Sequence, residues 1–267
     1  MEPEPLSRQI RSRRPLFGGW TSLGHPSITE IFTSAGFDFI GIDMEHSTIS
    51  QEQAQRIIAA AHSGGTACLP RPSSPAAESE MRQLLDSGAD GVIVPDISMP
   101  AQVAKVIEWT KYPPIGKRSY GVARAHEYGF DFEKYVSTWN ERSALIIQIE
   151  SISAVEAIDK LLQTPEVDGV MVGPYDLSGS LGIPGQLSHP RITEACQRVV
   201  EACRRHQKGC GTQAVEPTPE NVMNLFEVGY TFVVLASDVF ALWKWSERMQ
   251  SLIQRHRQEQ VPVGIPK

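Results

Sequence analysis

The chain has 267 residues, 41% of them apolar and 21% charged, with a net charge of −6. That is the size of one large domain with an ordinary core. The acidic balance argues against a nucleic-acid surface, and no apolar run approaches a membrane span.

Residues 1–14 carry charges without a hydrophobic centre, so they read as a flexible tail rather than a secretory signal. LFGGWTSL (16–23) is the first strand candidate, and SITEIFTSAG follows as a helix with Ser27 as its N-cap. FDFIGIDME (37–45) is the second strand, followed by SQEQAQRIIAAAHSGG with Ser50 as cap. TACLPRP (66–72) leads to the helix ESEMRQLLDSG, and DGVIVPDI (90–97) leads to PAQVAKVIEWTKY. From Tyr112 to Ser143 the connection is long. It holds a Pro-Pro turn, then Lys117, Arg118, Arg124 and His126, then the helix-like FEKYVSTWNE, and such insertions are usually lids or binding loops. ALIIQIE (144–150) and VDGVMVGP (167–174) flank SAVEAIDKLLQT, for which Ser153 is the expected cap. The helix RITEACQRVVEACRRHQ precedes GCGTQA (209–214), and ENVMNLFEVG precedes TFVVLASD (231–238). An amphipathic helix with Trp243 and Trp245 closes the pattern, and VPVGIPK reads as a loose end.

Eight strand candidates alternate with helices, and the strands are apolar runs suited to a sheet buried on both faces. The expected fold is therefore α/β, a (β/α)₈ barrel in one domain over residues 1–267. A doubly wound dinucleotide fold would want GxGxxG after a strand, and none occurs. Cys196, Cys203 and Cys210 recur every seven residues and read as buried thiols of a reducing, cytoplasmic setting.

Several strands end in charge: Asp43, Glu45 and His46, then Arg71, Glu150, Asp176 and Asp238. Parallel strands of a barrel bring such ends to one face. Glu150 and Asp176 fall on neighbouring strands, where two carboxylates repel unless a cation lies between them. Two protein oxygens, completed by water and substrate, suit Mg²⁺, Mn²⁺ or Co²⁺. The alternative is a strand-end carboxylate that caps a loop. Arg71 can hold an oxyanion with its planar fork, or serve in a structural ion pair. His46, directly after strand-end acids, is a general-base candidate. The small-residue run from Gly173 to Gly182 could offer backbone N–H groups to a carboxylate. No strand candidate ends in Lys, so a Schiff base is not expected and carbanion chemistry would rely on a metal.

AGFDFIGIDMEHSTIS, LPRP, QLLDSGADGVIVPDI, YPPIGKRSYGVARA, IIQIES and VDGVMVGPYDLSGSLG, in that order, resemble the HpcH/HpaI aldolases, over about residues 18–238. The resemblance implies a barrel and a class II, metal-dependent pyruvate aldolase. It makes Glu150 and Asp176 the metal ligands and has Arg71 stabilise the enolate. His46 takes the acid/base step, with Asp43 and Glu45 beside it. It pairs Asp86 with the histidine across a subunit boundary, and lines the pyruvate end with Trp20, Gln148, Gly173 and Pro174. It also implies a trimer-based hexamer, in which the C-terminal helix (239–257) packs on a neighbouring subunit. Ser119, Tyr175 and GTQAVEP depart from the family pattern, near the expected outer pocket. The substrates implied are a keto acid and an aldehyde. A relative acting on oxaloacetate or an acyl-CoA or citrate-type substrate, and a non-catalytic metabolite-binding barrel, are the rival readings.

Overall fold

A computed structural model describes residues 4–259. All eight expected strands form: β1 (Leu16–Thr21), β2 (Phe39–Asp43), β3 (Ala67–Arg71), β4 (Gly91–Val94), β5 (Ala144–Ile149), β6 (Gly169–Val172), β7 (Gly209–Ala214) and β8 (Phe232–Leu235). They are parallel and lie in the order β3-β2-β1-β8-β7-β6-β5-β4. The seam between β3 and β4 is bridged by Asp90. Its backbone N–H donates to the Cys68 carbonyl at 2.9 Å, and its Oδ2 accepts from the Cys68 N–H at 2.8 Å. The fold is a (β/α)₈ barrel.

The helices are α1 (Leu6–Arg11), α2 (Pro26–Thr33), α3 (Gln51–Ser63), α4 (Glu78–Asp86), α5 (Pro100–Thr110), α6 (Phe132–Arg142), α7 (Ile152–Leu162), α8 (Pro174–Ser180), α9 (Pro190–Arg205), α10 (Pro219–Val228) and α11 (Asp238–Glu259). Ser50 caps α3 in a box with Gln53, as its sequence suggests. The caps of α2 and α7 lie two residues earlier than Ser27 and Ser153. His25 caps α2, ahead of Pro26 at the first helical position, and Ser151 caps α7. None of the described helices is long and apolar enough to cross a membrane.

One apolar layer packs between the sheet and the helices, and a second fills the barrel. Inside, Phe39 and Phe232 meet edge to face at 6.1 Å. Room for Phe232 comes from Gly211, where a Cβ would lie 1.9 Å from the ring.

The expected loose tail over residues 1–14 is corrected from Leu6 onward. Leu6 and Ile10 are buried and plug the N-terminal mouth of the barrel. A Cβ at Gly209 would come within 2.5 Å of the Ile10 side chain, so the start of β7 is shaped to admit it. Each buried aliphatic contributes about 2 kcal/mol. The VPVGIPK segment lies outside the described residues.

The long connection is not a lid over the strand ends of its own barrel. Its Arg118 pairs with Asp86 at the end of α4, which places it at the N-terminal end of the barrel. His126 is buried there against Phe132 and Tyr135, with Tyr112 Oη 3.1 Å from its Nε2. The three spaced cysteines are free, and Cys203 and Cys210 are buried.

Candidate active site

The strands carry their terminal side chains to one face because they are parallel. Asp43 and Arg71 are register partners at the ends of β2 and β3. Arg71 Nη2 and Nε donate to Asp43 Oδ1 at 2.7 and 3.2 Å. Nη1 donates to Gln148 Oε1 at 3.4 Å and lies 3.1 Å from Glu45 Oε2. Gln148 Nε2 in turn donates to Glu150 Oε1 at 2.8 Å, and Glu150 Oε2 accepts the Asp96 N–H at 3.0 Å. Asp96 sits at φ +47, a costly conformation for a residue with a Cβ, and that turn aims its N–H at the carboxylate. Trp20 lies beneath Arg71, with the guanidinium carbon 5.1 Å from the ring centroid.

Asp176 arrives from the first turn of α8, not from a loop. The small-residue run folds directly into a helix that begins with Pro174. A Cβ built at Gly173 would lie 3.2 Å from Glu150 Oε1 and 3.3 Å from Asp176 Oδ2. The two carboxylates thus converge on the same small space, which only a glycine leaves open.

The electrostatics are one-sided. Asp43, Glu45, Glu150 and Asp176 share this end with one guanidinium. Burial pushes the Glu150 carboxyl up to about 7; the Asp96 N–H opposes this, while the charges of Glu45 and Asp176 add to it. Burial also raises Glu45, against the pull of Arg71 and His46. For Asp43 burial acts upward too, but Arg71 and the His46 N–H overcome it and hold the carboxyl below its usual range. Buried Glu45 Oε2 has no hydrogen-bond partner among the described residues, despite its ion-pair contact with Arg71. An orphaned buried oxygen, and two further carboxylates meeting at one point, fit a divalent cation in this hollow. Glu150 and Asp176 are the residues that would hold it. No group of three or more His, Cys, Asp or Glu suited to a metal occurs among the described residues.

His46 stands at the mouth, with its side chain 71% exposed and Nε2 3.8 Å from Glu45 Oε2. Asp43 does not orient its ring. Asp43 Oδ1 instead accepts the backbone N–H groups of Glu45 and His46 at 3.1 and 3.0 Å, fixing the turn that carries the histidine. Asp86 is not at this face of its own chain. Its Oδ1 receives Arg118 Nη2 at 2.6 Å at the opposite end. Ser119, next to Arg118, does not line the cavity of its own chain. Asp238 is structural: its carboxylate accepts from Thr21 Oγ1 and from the Ser22, Leu23 and Val239 N–H groups, sewing α11 to the exit of β1.

A cavity of about 410 Å³ joins these groups. Trp20, Gln148, Gly173, Pro174 and Tyr175 line it, as expected. Gln213 and Val215, from the GTQAVEP run expected near the outer pocket, line it as well, and Ser22, Leu187, Ser237 and Phe240 line it without having been anticipated. The strand-end rule applied to β8 would have found Ser237; Leu187 comes from a loop with no such signal. A second cavity of about 510 Å³ lies at the other end, around His62, Asp90 and Arg124. There His62 Nε2 pairs with Asp90 at 2.9 Å and Arg124 donates to the Ser87 carbonyl at 3.0 Å.

Residues 16–244 match the family model described as HpcH/HpaI aldolase/citrate lyase. A hydroxypyruvate/pyruvate aldolase of Paraburkholderia phytofirmans is 34% identical over 256 residues, covering 93% of this chain and 96% of that protein. A 2-keto-3-deoxy-L-rhamnonate aldolase of Salmonella typhi is 33% identical and covers 80% of each chain. The crystal structure of an HpcH/HpaI aldolase from Desulfitobacterium hafniense DCB-2 superposes with a TM-score of 0.85 at 26% identity, over 99% of this chain and 100% of that one.

Proposed function

The chain belongs to the HpcH/HpaI aldolase/citrate lyase family and is an aldolase, and from that premise we propose that it is a divalent-metal-dependent carbon–carbon lyase for 4-hydroxy-2-oxo acids. Pyruvate and an aldehyde are the two halves of its substrate. The observation that carries the reading is the convergence of Glu150 and Asp176 over Gly173, beside Arg71. A cation bound there, Mg²⁺, Mn²⁺ or Co²⁺, would polarise the keto acid as a Lewis acid.

The chain's own residues supply the rest. Arg71 has five N–H donors; Asp43 takes two and Gln148 one, which leaves donors for the oxygen that gains charge as the enolate forms. Asp43 locks the guanidinium in place before substrate arrives. Trp20 and Pro174 close the pyruvate end against water, and Gln148 ties Arg71 to Glu150. His46, at the mouth, takes the C4 hydroxyl proton as the C3–C4 bond breaks, directly or through one water. In the reverse direction it returns that proton to the new alkoxide.

The enzyme works as a homo-oligomer, a trimer-based hexamer. Val239, Leu242, Trp243 and Trp245 leave an apolar face of α11 in water, more than a lone helix should show. In the assembly Asp86 of a neighbouring copy would reach His46.

The test is methyl-proton exchange of pyruvate in D₂O, followed by NMR, with and without EDTA, alongside borohydride treatment with pyruvate. Exchange that stops on chelation and returns with Mn²⁺, with no covalent adduct, is expected. Exchange that survives chelation, or a trapped adduct, contradicts the reading.

A further inference from the structure

The cavity of about 510 Å³ at the N-terminal end takes no part in the reaction above. Asp90 and His62, in its floor, are spent on each other and on the seam: Asp90 Oδ2 accepts the Cys68 N–H at 2.8 Å and lies 2.9 Å from His62 Nε2. Arg124 Nη1 donates to the Ser87 carbonyl at 3.0 Å and lies 3.5 Å from His62 Nδ1, while its Nε and Nη2 have no acceptor among the described residues. Arg142, Glu127 and Asp131 line the same cavity, and among the described residues they form no ion pair. Two guanidiniums and two carboxylates thus border one space uncompensated, beside the rings of Tyr128, Tyr135 and Trp139. We propose that this cavity is an effector site for an α-amino acid with an aromatic side chain.

The charges select the ligand class. A simple anion would meet two carboxylates, and a simple cation two guanidiniums, so either would leave an opposing pair unanswered. A net-neutral ligand with a carboxylate and an ammonium answers both. The rings select its side chain. Tyr135 and Trp139 stack at 5.0 Å, and Tyr128 is 67% exposed at the rim. Tyr128 is held there at φ +55, between Glu127 at +49 and Gly129 at +108. Two successive residues with a Cβ in the left-handed region are costly, and the same turn sets both the Glu127 carboxylate and the Tyr128 ring on the cavity. An aromatic side chain entering it gains ring partners there.

Two of these rings also hold Arg118. Its guanidinium carbon lies 4.7 Å from the Trp139 centroid and 5.7 Å from that of Tyr135, and its Nη1 donates to Tyr135 Oη at 3.3 Å. Its Nη2 holds Asp86, and its buried Nε has no partner among the described residues. A ligand packed on Tyr135 and Trp139 therefore stiffens the Arg118–Asp86 pair. In the assembly proposed above, Asp86 serves a neighbouring copy's His46, so the ligand raises carbon–carbon cleavage in that neighbour. This consequence rests on the aldolase and oligomer reading; the binding itself does not.

The test is titration calorimetry on the full-length protein loaded with Mn²⁺, with L-phenylalanine, 3-phenylpropanoate and phenethylamine as probes. The last two each lack one of the two charges. L-Phenylalanine should bind saturably, and each of the others about tenfold more weakly. Arg142→Glu should weaken L-phenylalanine about tenfold and Asp131→Asn about threefold, with pyruvate methyl exchange kept at the wild-type rate in both. Saturating L-phenylalanine should raise cleavage of 4-hydroxy-2-oxopentanoate about fivefold while pyruvate exchange changes little. No saturable binding, or equal binding of all three probes, overturns the site. Binding that neither substitution weakens lies elsewhere and overturns it too. Binding that leaves cleavage unmoved overturns the route through Arg118. Binding to a protein with neither exchange nor cleavage upholds the site while the aldolase reading falls.

Discussion

The two ends of the barrel use the same residue types to opposite effect. At the N-terminal end the buried acids have their partners, although Arg118 Nε and His126 Nδ1 are left without one among the described residues. Buried Asp168 accepts from Arg11 and from the Leu145 N–H, Asp90 accepts from His62 and the Cys68 N–H, and Asp86 holds Arg118 between the Tyr112 and Trp139 rings. Lys111 donates to the Ser143 and Asn140 carbonyls, although burial lowers its pKa to about 8. At the C-terminal end four carboxylates crowd one arginine, one of them with its pKa near 7 and one with an orphaned oxygen. Satisfied charges fix a fold; unbalanced ones wait for a ligand. Asp238 sharpens the point, because it lies at the reactive end and yet behaves like the acids of the other.

Substitutions can break this contrast, and the largest effect should come from Glu150→Ala. Loss of a ligand for a Lewis acid worth several kcal/mol should cut turnover about 10³-fold or more, with thermal unfolding little changed or shifted upward. Arg71→Ala should come next, lowering pyruvate proton exchange about 10²- to 10³-fold in a D₂O assay. Exchange at the wild-type rate would show that Asp43 holds Arg71 for structure alone. His46→Ala should slow carbon–carbon cleavage about 10²-fold while pyruvate exchange falls far less, since its ring stands at the mouth. Equal losses in both assays would move His46 to the enolate step. Smallest, and opposite in kind, is Asp168→Asn: about 2 kcal/mol lost in denaturant unfolding, with the activity of the folded fraction unchanged. If that variant lost activity without losing stability, the two ends would not be separable.

Much of this contrast was legible in the sequence. The eight strands were visible because buried parallel strands are continuous apolar runs, and their ends named Asp43, Glu45, His46, Arg71, Glu150 and Asp176 without further help. The plug was not legible. LSRQIR has two apolar residues one helical turn apart, between arginines and prolines, too short for a period to register. α8 was hidden by its glycines and serines, and Pro174 at its first position was the missed clue. The place of Asp86 depends on Arg118, 32 residues away, and no local pattern encodes such a pairing. Leu187 and Phe240 come to the cavity from two further segments that carry no strand-end signal, so only folding brings them in.

The most direct measurement is Mn²⁺ binding followed by electron paramagnetic resonance, in the wild type, in Glu150→Gln with Asp176→Asn, and in Asp168→Asn. One tightly bound ion per chain is expected in the wild type and in Asp168→Asn, and none in the double variant. Binding that persists without Glu150 and Asp176, or that is lost with Asp168, would contradict the assignment of the cation to the unbalanced end of the barrel.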